Sequence, residues 1–256
     1  MLSRALRGID IPSSPPLFGG RRRWVRLFAL LPVRDGMRFL PGFVANVAAQ
    51  VDGIVALDDG SRDGSAEFLA AQPEVVELLR NLPDRPRWDE IGNHRRLVEA
   101  ALRHGGEWAL AIDYDHRLER DFRTRAEQVI RRGARRGHSA FSVLTRELWD
   151  RPDRYRADGY WNRKRRATLF RLRADHEFDT APLHAKKAPL QSQPWPRTDL
   201  LVYHLGMLTP EDRQNRRERY ERLDPDGRWQ AMGYAYLTDE EGLRLRRVPR
   251  RRGWVE

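Results

Sequence analysis

The sequence predicts an α/β domain: a mostly parallel sheet with helices on both faces and a mixed C-terminal part. Three observations carry this. Four short apolar runs alternate with helix-like segments over the first half, with short connections. That alternation places parallel strands under crossover helices. Two of the apolar runs end in paired acids, "LDD" and "IDYD". Ligands of such sheets bind at the carboxyl ends of the strands, so both acidic pairs can face one crevice.

The elements follow in order. "WVRLFALLPVRDG" (Trp24–Gly36) is a nearly continuous apolar run closed by Pro and Gly, and reads as a buried strand. "MRFLPGFVANVAAQ" has helical spacing, with Phe39, Leu40, Phe43, Val44 and Val47 on one side and Pro41 suited to the first turn. "VDGIVALDD" is a second buried strand, and "GSAEFLAAQ" starts a helix with Asp63 or Ser65 as N-cap. "EVVELLRN" is a third, short strand. "RWDEIGNHRRLVEAALRHGG" carries an apolar stripe of Ile91, Leu97, Val98, Ala101 and Leu102, and Gly105–Gly106 stop it. "EWALAIDYDH" is the fourth strand.

The second half is less regular. "DFRTRAEQVIRRGARRG" reads as a helix with a basic face. "HSAFSVLTRELW", "RRATLFRLR" and "TDLLVYHLGM" read as strands of a mixed region. "TPEDRQNRRERYERLDPDG" is a charged helix with Thr209 as N-cap and Pro210 at N1. The expected organisation is a loose basic arm over 1–23, one domain over 24–240, and a basic, mobile tail over 241–256.

Composition bounds the function. The chain has 256 residues, 33% charged and 40% hydrophobic, which suits a globular domain with a substantial core. No apolar run approaches the roughly 18 residues of a membrane span. The N-terminal stretch lacks the apolar core of a secretory signal. There is no cysteine, which excludes disulfides, thiolate-held zinc and thiol catalysis. A net charge of +11 favours anionic partners, although the excess is mostly Arg, as in Arg-rich compositions generally.

Two acidic groups carry candidate chemistry. In an extended strand, residues i and i+2 share a face, so Asp113 and Asp115 would present two carboxylates together. Such a pair repels itself unless a cation lies between, and hard divalent ions such as Mn2+ or Mg2+ suit oxygen ligands and bridge to phosphates. In "LDDGSRDGS", Asp58 followed by Asp59 leaves one acid free to accept from a ligand N–H, and Gly60 and Gly64 let the backbone approach that ligand.

Four blocks in order, "LPVRDGMRFLPGFV", "VDGIVALDDGSRDGS", "WDEIGNHRRLVEAAL" and "WALAIDYDH", resemble the family 2 glycosyltransferases, which have the Rossmann-like GT-A nucleotide-sugar-binding fold. The resemblance runs from about Leu27 to Asp226. It implies that Asp59 binds the nucleobase, with Asp58, Pro32, Arg34, Asp35 and Asn93 around the nucleotide. It implies that Asp115 holds a divalent metal on the donor diphosphate, with Asp113 near the ribose or the metal. "LLVYHLGMLTPEDRQNRRERYERLDP" resembles the C-terminal segment of some bacterial members, where a His after a late strand completes the metal site; His204 holds that position. Arg213, Arg216 and Arg217 open the next helix, either as phosphate contacts or as a solvated face.

The family pattern breaks at the base. Related sequences carry a His-Glu pair after an "LFR" strand, and here "RRATLFRLRADHEFDTAPLHAKKAP" has His184-Ala185. Asp179 is favoured as the base, with His184 and then Glu177 behind it, because an imidazole of ordinary pKa protonates below about pH 6.5. Trp161 and Trp195 are candidates for stacking on an acceptor sugar.

What the resemblance implies is a metal-dependent, inverting glycosyltransferase with Mn2+ or Mg2+ as cofactor. Its partners would be a nucleotide-diphospho-sugar, by default a uridine diphosphate sugar, and a saccharide or lipid-linked acceptor. It would act in the cytoplasm, with peripheral contact to the anionic inner membrane face and no nucleic-acid partner. The alternatives are a nucleotidyltransferase, for which "PVRDGMRF" is a poor phosphate loop, and an inactive basic binding module.

Overall fold

A computed structural model describes residues 25–83, 89–181 and 183–255. The expected arm over 1–23 lies outside the described residues. The elements are β1 (Leu27–Val33), α1 (Leu40–Ala48), β2 (Gly53–Asp58), α2 (Ser65–Ala70), β3 (Val75–Arg80), α3 (Glu90–Arg103), β4 (Trp108–Ala111) and β5 (His116–Leu118). After them come α4 (Phe122–Ala134), β6 (Ala140–Trp149), β7 (Arg151–Arg156), β8 (Arg165–Arg171), β9 (Arg197–His204), α5 (Pro210–Leu223) and β10 (Leu245–Arg247).

The fold class is the expected one. β1 pairs in parallel with β2 and β4, and β2 with β3, giving a parallel half ordered β4-β1-β2-β3. β8 joins β4 in the antiparallel sense, and β6, β7 and β10 extend the sheet antiparallel from there. β9 pairs with β6 in parallel and with β5 antiparallel, which makes the second half mixed. β7 and β10 were not anticipated; "RPDRYR" has a proline and little apolar content, so it lacks a strand pattern.

Alternation along β1 explains the layers. Leu27, Ala29, Leu31 and Val33 point into a core with Phe43 and Val47 of α1 and Phe122 and Ile130 of α4. Phe28 and Leu30 point into a second core with Leu97, Val98 and Ala101 of α3. Helices therefore cover both faces of the parallel half. Phe43 is fully buried, and truncating such a side chain to Ala costs about 3–5 kcal/mol.

The helix ends follow local chemistry. Asp89 caps α3 by accepting from Gly92 N at 2.8 Å. Gly105 follows that helix at φ +70°, a conformation that suits glycine. Thr209 and Asp212 form a reciprocal capping box at the start of α5. For α2 the N-cap is Gly64 rather than Asp63 or Ser65, although Asp63 Oδ1 still accepts from Ser65 N at 3.0 Å.

The C-terminal segment is docked, against the expectation of a mobile tail. β10 pairs with β7. Arg252 grips buried Glu119 through two hydrogen bonds of 2.5 and 2.8 Å. The ring of Trp254 lies 5.0 Å from that of Tyr203. The basic side chains concealed this, because their acidic partners are distant in sequence. Among the described residues no helix is long and apolar enough to cross a membrane.

Candidate active site

The carboxyl ends of β1 and β4 open into a cavity of about 320 Å3. Pro32, Arg34, Asp113, Asp115, His184 and His204 all line it. Asp35, Asp58, Asp59, Asn93 and Asp179 do not.

β4 ends at Ala111, so Asp113 and Asp115 lie in the turn before β5 and not on the strand itself. Strand alternation therefore does not set their directions. Asp113 is exposed, whereas Asp115 is buried. The cluster whose ligand atoms lie within 4.8 Å of one another is Asp115, His116 and His204, without Asp113. Asp115 Oδ2 lies 2.9 Å from His204 Nε2 and accepts from Arg216 Nη2 at 2.8 Å. Its Oδ1 is buried with no partner. Gly206 closes the cradle: a Cβ there would come within 2.2 Å of Asp115 Oδ2 and 2.8 Å of His204 Nε2. A divalent ion fits this donor set, because the Asp115 carboxylate, with one oxygen orphaned, and the His116 and His204 imidazoles offer ligand atoms within 4.8 Å of one another, beside the Arg216 guanidinium.

The other ring nitrogen of His204 is held by Glu147, whose second oxygen pairs with Lys164. Burial pushes the Asp115 and Glu147 carboxyls up, yet the His204 charge and its cationic neighbours outweigh it and hold both well below the usual range. For His204 burial works downward, and the Asp115 and Glu147 charges win, raising it. Burial, then the charge of His204, lowers His116 to about 4, and its Nδ1 faces the Asp113 backbone N–H at 3.3 Å.

The cavity lining is also cationic. The guanidinium groups of Arg166 and Arg219 line the cavity and have no hydrogen-bond or ion-pair partner among the described residues. Of Arg213, Arg216 and Arg217, the arginines singled out at the start of α5, only Arg216 lines the cavity. Arg213 is buried over the Trp149 ring and tied to Asp150 and Glu240. Arg217 pairs with Glu221 and Thr238.

Asp59 is not left free. Its side chain is 0% exposed, Oδ1 accepts from Asn81 (2.5 Å) and Asn93 (3.1 Å), and Arg34 makes an ion pair with Oδ2. Asp58 Oδ2 accepts from Gly60 and Ser61 backbone N–H groups, both at 3.1 Å, and its Oδ1 is buried without a partner. The rest of "GSRDGS" braces the loop after β1. Asp63 Oδ2 accepts from Met37 N (2.8 Å), Ser65 Oγ from Gly36 N (2.9 Å), and Asp35 Oδ1 from Arg62 N (2.8 Å). Turn chemistry and loop bracing thus absorb most of this motif.

The two candidate bases separate clearly. The Asp179 carboxylate accepts from the backbone of Ala181 and Lys186, each at 3.2 Å, outside the cavity lining. His184 lines the cavity, with its ring 5.0 Å from that of Tyr220. Tyr234 gives its O–H to Asp224 at 3.0 Å, so its oxygen can only accept from His184 Nε2, 3.3 Å away. That leaves His184 Nδ1 as a lone pair. Burial, then the charges of Arg166 and Lys164, lowers His184 to about 4, so it is neutral where an ordinary imidazole would begin to protonate. Trp161 is 5% exposed among Trp149 and Tyr236, and Trp195 donates to Ser192 Oγ at 2.9 Å; neither lines the cavity.

Sequence reasoning missed His116, Glu147, Lys164 and Arg166. Glu147 left one signal, an acid in the apolar end of a strand, "TRELW".

No family model matches the chain. Uncharacterized proteins of Mycobacterium tuberculosis and Mycobacterium bovis are each 26% identical over 238 residues, covering 86% of this chain and 57% of theirs. The chain thus spans little more than half the length of these relatives. Residues 1–349 of S. aureus TarS superpose with a TM-score of 0.41 at 12% identity, covering 84% of this chain and 70% of that one. A mannosyltransferase of Pyrobaculum calidifontis, in complex with GDP-Man and Mn2+, superposes with a TM-score of 0.36 at 20% identity, covering 50% of this chain and 36% of that one. At such TM-scores these likenesses carry no argument about the site.

Proposed function

We propose that this chain is a metal-dependent glycosyltransferase that moves a sugar from a nucleoside diphosphate to a saccharide or lipid-linked hydroxyl. The observation that carries the reading is the unpartnered Oδ1 of buried Asp115 beside His204, in a cavity also lined by the unpaired guanidinium groups of Arg166 and Arg219. A cluster of acids and imidazole facing Arg suits a cation and a diphosphate together. Neither half suits an uncharged ligand. The cavity volume lies within the range of small-molecule sites.

Asp115 and His204 would hold the ion, and Asp113 lies at the same mouth for the ribose or an ion-bound water. A divalent ion there would offset the charge that develops on the leaving diphosphate. Arg166, Arg216 and Arg219 bind and orient the diphosphate oxygens. The acceptor oxygen attacks the anomeric carbon with inversion, the bond from that carbon to the diphosphate oxygen breaks, and the diphosphate departs with the electron pair. The acceptor proton passes to His184 Nδ1, with Tyr234 and Asp224 holding the ring in the required tautomer. A uridine diphosphate sugar is the first donor to test.

The experiment is a thermal-shift and calorimetric panel of nucleoside diphosphates with and without Mn2+. Stabilisation that needs both nucleotide and Mn2+, and disappears in Asp115→Ala, is the expected result. Equal affinity in Asp115→Ala and parent at several Mn2+ concentrations overturns the reading. Preference for nucleoside triphosphates with pyrophosphate release would assign a nucleotidyltransferase instead.

A further inference from the structure

The three strands β5, β9 and β6 bring one rung of residues into line. His116 pairs with His204, and His204 pairs with Glu147. Glu147 is 0% exposed and sits between Leu148 and Arg146, next to the fully buried Trp149. An acid at such a place costs free energy unless both oxygens are satisfied, and an apolar side chain would serve the sheet at less cost. Both oxygens are occupied: Oε2 by His204 Nδ1, Oε1 by Lys164 Nζ. Glu147 therefore has no oxygen to spare for a cation, and it is outside the cluster of possible ligands.

We propose that Glu147 is a positioning residue: with Lys164 behind it, it holds the Nδ1 hydrogen of His204 and so turns a bare Nε2 toward the cation held with Asp115. The proposal rests on the cation reading of the same cavity. An imidazole ligates through the nitrogen that carries no hydrogen, and the hydrogen bond at the opposite nitrogen decides which one that is. Here the opposite nitrogen faces a buried carboxylate, which accepts and never donates while ionised. Lys164 satisfies the other oxygen of that carboxylate, and the pair anchors β6 to the segment before β8. Nε2 is left facing Asp115 Oδ2 and Arg216 Nη2, each at 2.9 Å, and the space over Gly206. The ring is thus fixed in angle before any ion arrives, and because Glu147 keeps the Nδ1 hydrogen, the hydrogen that a binding cation would displace is the one on Nε2 shared with Asp115.

The test uses the full chain and Mn2+ or Mg2+ alone. Glu147→Leu with Lys164→Met removes both charges at similar volume, so no unpaired charge is left in the sheet. Calorimetric Mn2+ titration should show affinity about 10- to 100-fold weaker in this double variant, with an unchanged circular dichroism spectrum. In 15N-histidine-labelled, Mg2+-loaded parent protein, His204 should be protonated at Nδ1 and bare at Nε2. Mn2+ affinity of the double variant within twofold of the parent overturns the proposal, while loss of binding in Asp115→Ala keeps the cation reading. An Nε2-protonated His204 in the Mg2+-loaded parent overturns it without need of a variant. A parent that takes up no Mn2+ removes the proposal and the cation reading together.

Discussion

Glu147 and His204 face each other across the β6–β9 pair, and the carboxylate of one takes the Nδ1 hydrogen of the other. These residues are 57 positions apart, and the register of two parallel strands alone makes them neighbours. On its opposite side, the same imidazole meets Asp115, 89 positions away. The candidate cation site is therefore a property of the sheet's second half as much as of the acidic turn after β4.

Gly206→Ala tests the cradle directly. The added Cβ would lie 2.2 Å from Asp115 Oδ2, far inside van der Waals contact, while the backbone at this position needs no left-handed conformation. The expected outcome is loss of Mn2+-dependent nucleotide binding by calorimetry with cooperative unfolding retained. Parent-like Mn2+ dependence in this variant would show that the space over Gly206 is not used.

Asp59→Ala should act first on stability. The residue is fully buried and carries an ion pair with Arg34 and hydrogen bonds from Asn81 and Asn93. Removing one partner of such a cluster costs about 3 kcal/mol, read as a lower urea midpoint at an unchanged m-value. A normal midpoint with loss of nucleotide base preference would restore a direct role in reading the base.

His184→Gln should lower transfer by about 10²–10⁴ with nucleotide binding intact, while Asp179→Asn stays close to the parent. The pH profile adds a sign. His184 is held near 4, below the ordinary 6.5, so it stays deprotonated as the pH falls through 6. The acid limb of kcat/KM should then lie near pH 4 to 5. A limb near 6.5, or full activity in His184→Gln, removes His184 from the mechanism.

His94 predicts acid sensitivity of the fold. It is buried against Phe170 and Phe178, and burial lowers it to about 3 from an ordinary 6.5. The unfolded chain therefore binds a proton that the folded chain refuses between those values. Stability from this group is complete above about pH 6.5 and is lost as the pH falls toward 3. Urea melts at pH 7, 5.5 and 4.5 should fall more steeply in the parent than in His94→Leu. Parallel curves would show that His94 is not the source.

The sequence by itself determined the parallel half of the fold. Its strands are short, continuous apolar runs, its helices carry one apolar stripe each, and caps such as Asp89 and Thr209 act within four residues. Such signals are local, so they survive without tertiary information. The same locality made Asp115 and His204 legible as candidates, each at the end of an apolar strand. Only the tertiary structure decided what their neighbours were. Asp59 reads as a free acid until Arg34, Asn81 and Asn93 arrive from three other elements. Asp113 reads as a partner of Asp115 until the strand stops at Ala111. Lys164 and the docked Arg252 are unremarkable in sequence, and Glu147 shows only as an acid in an apolar strand end, because each owes its role to a charge many positions away. Buried polar groups need partners wherever the chain supplies them, and the pairing register that brings those partners is set by packing across the whole sheet.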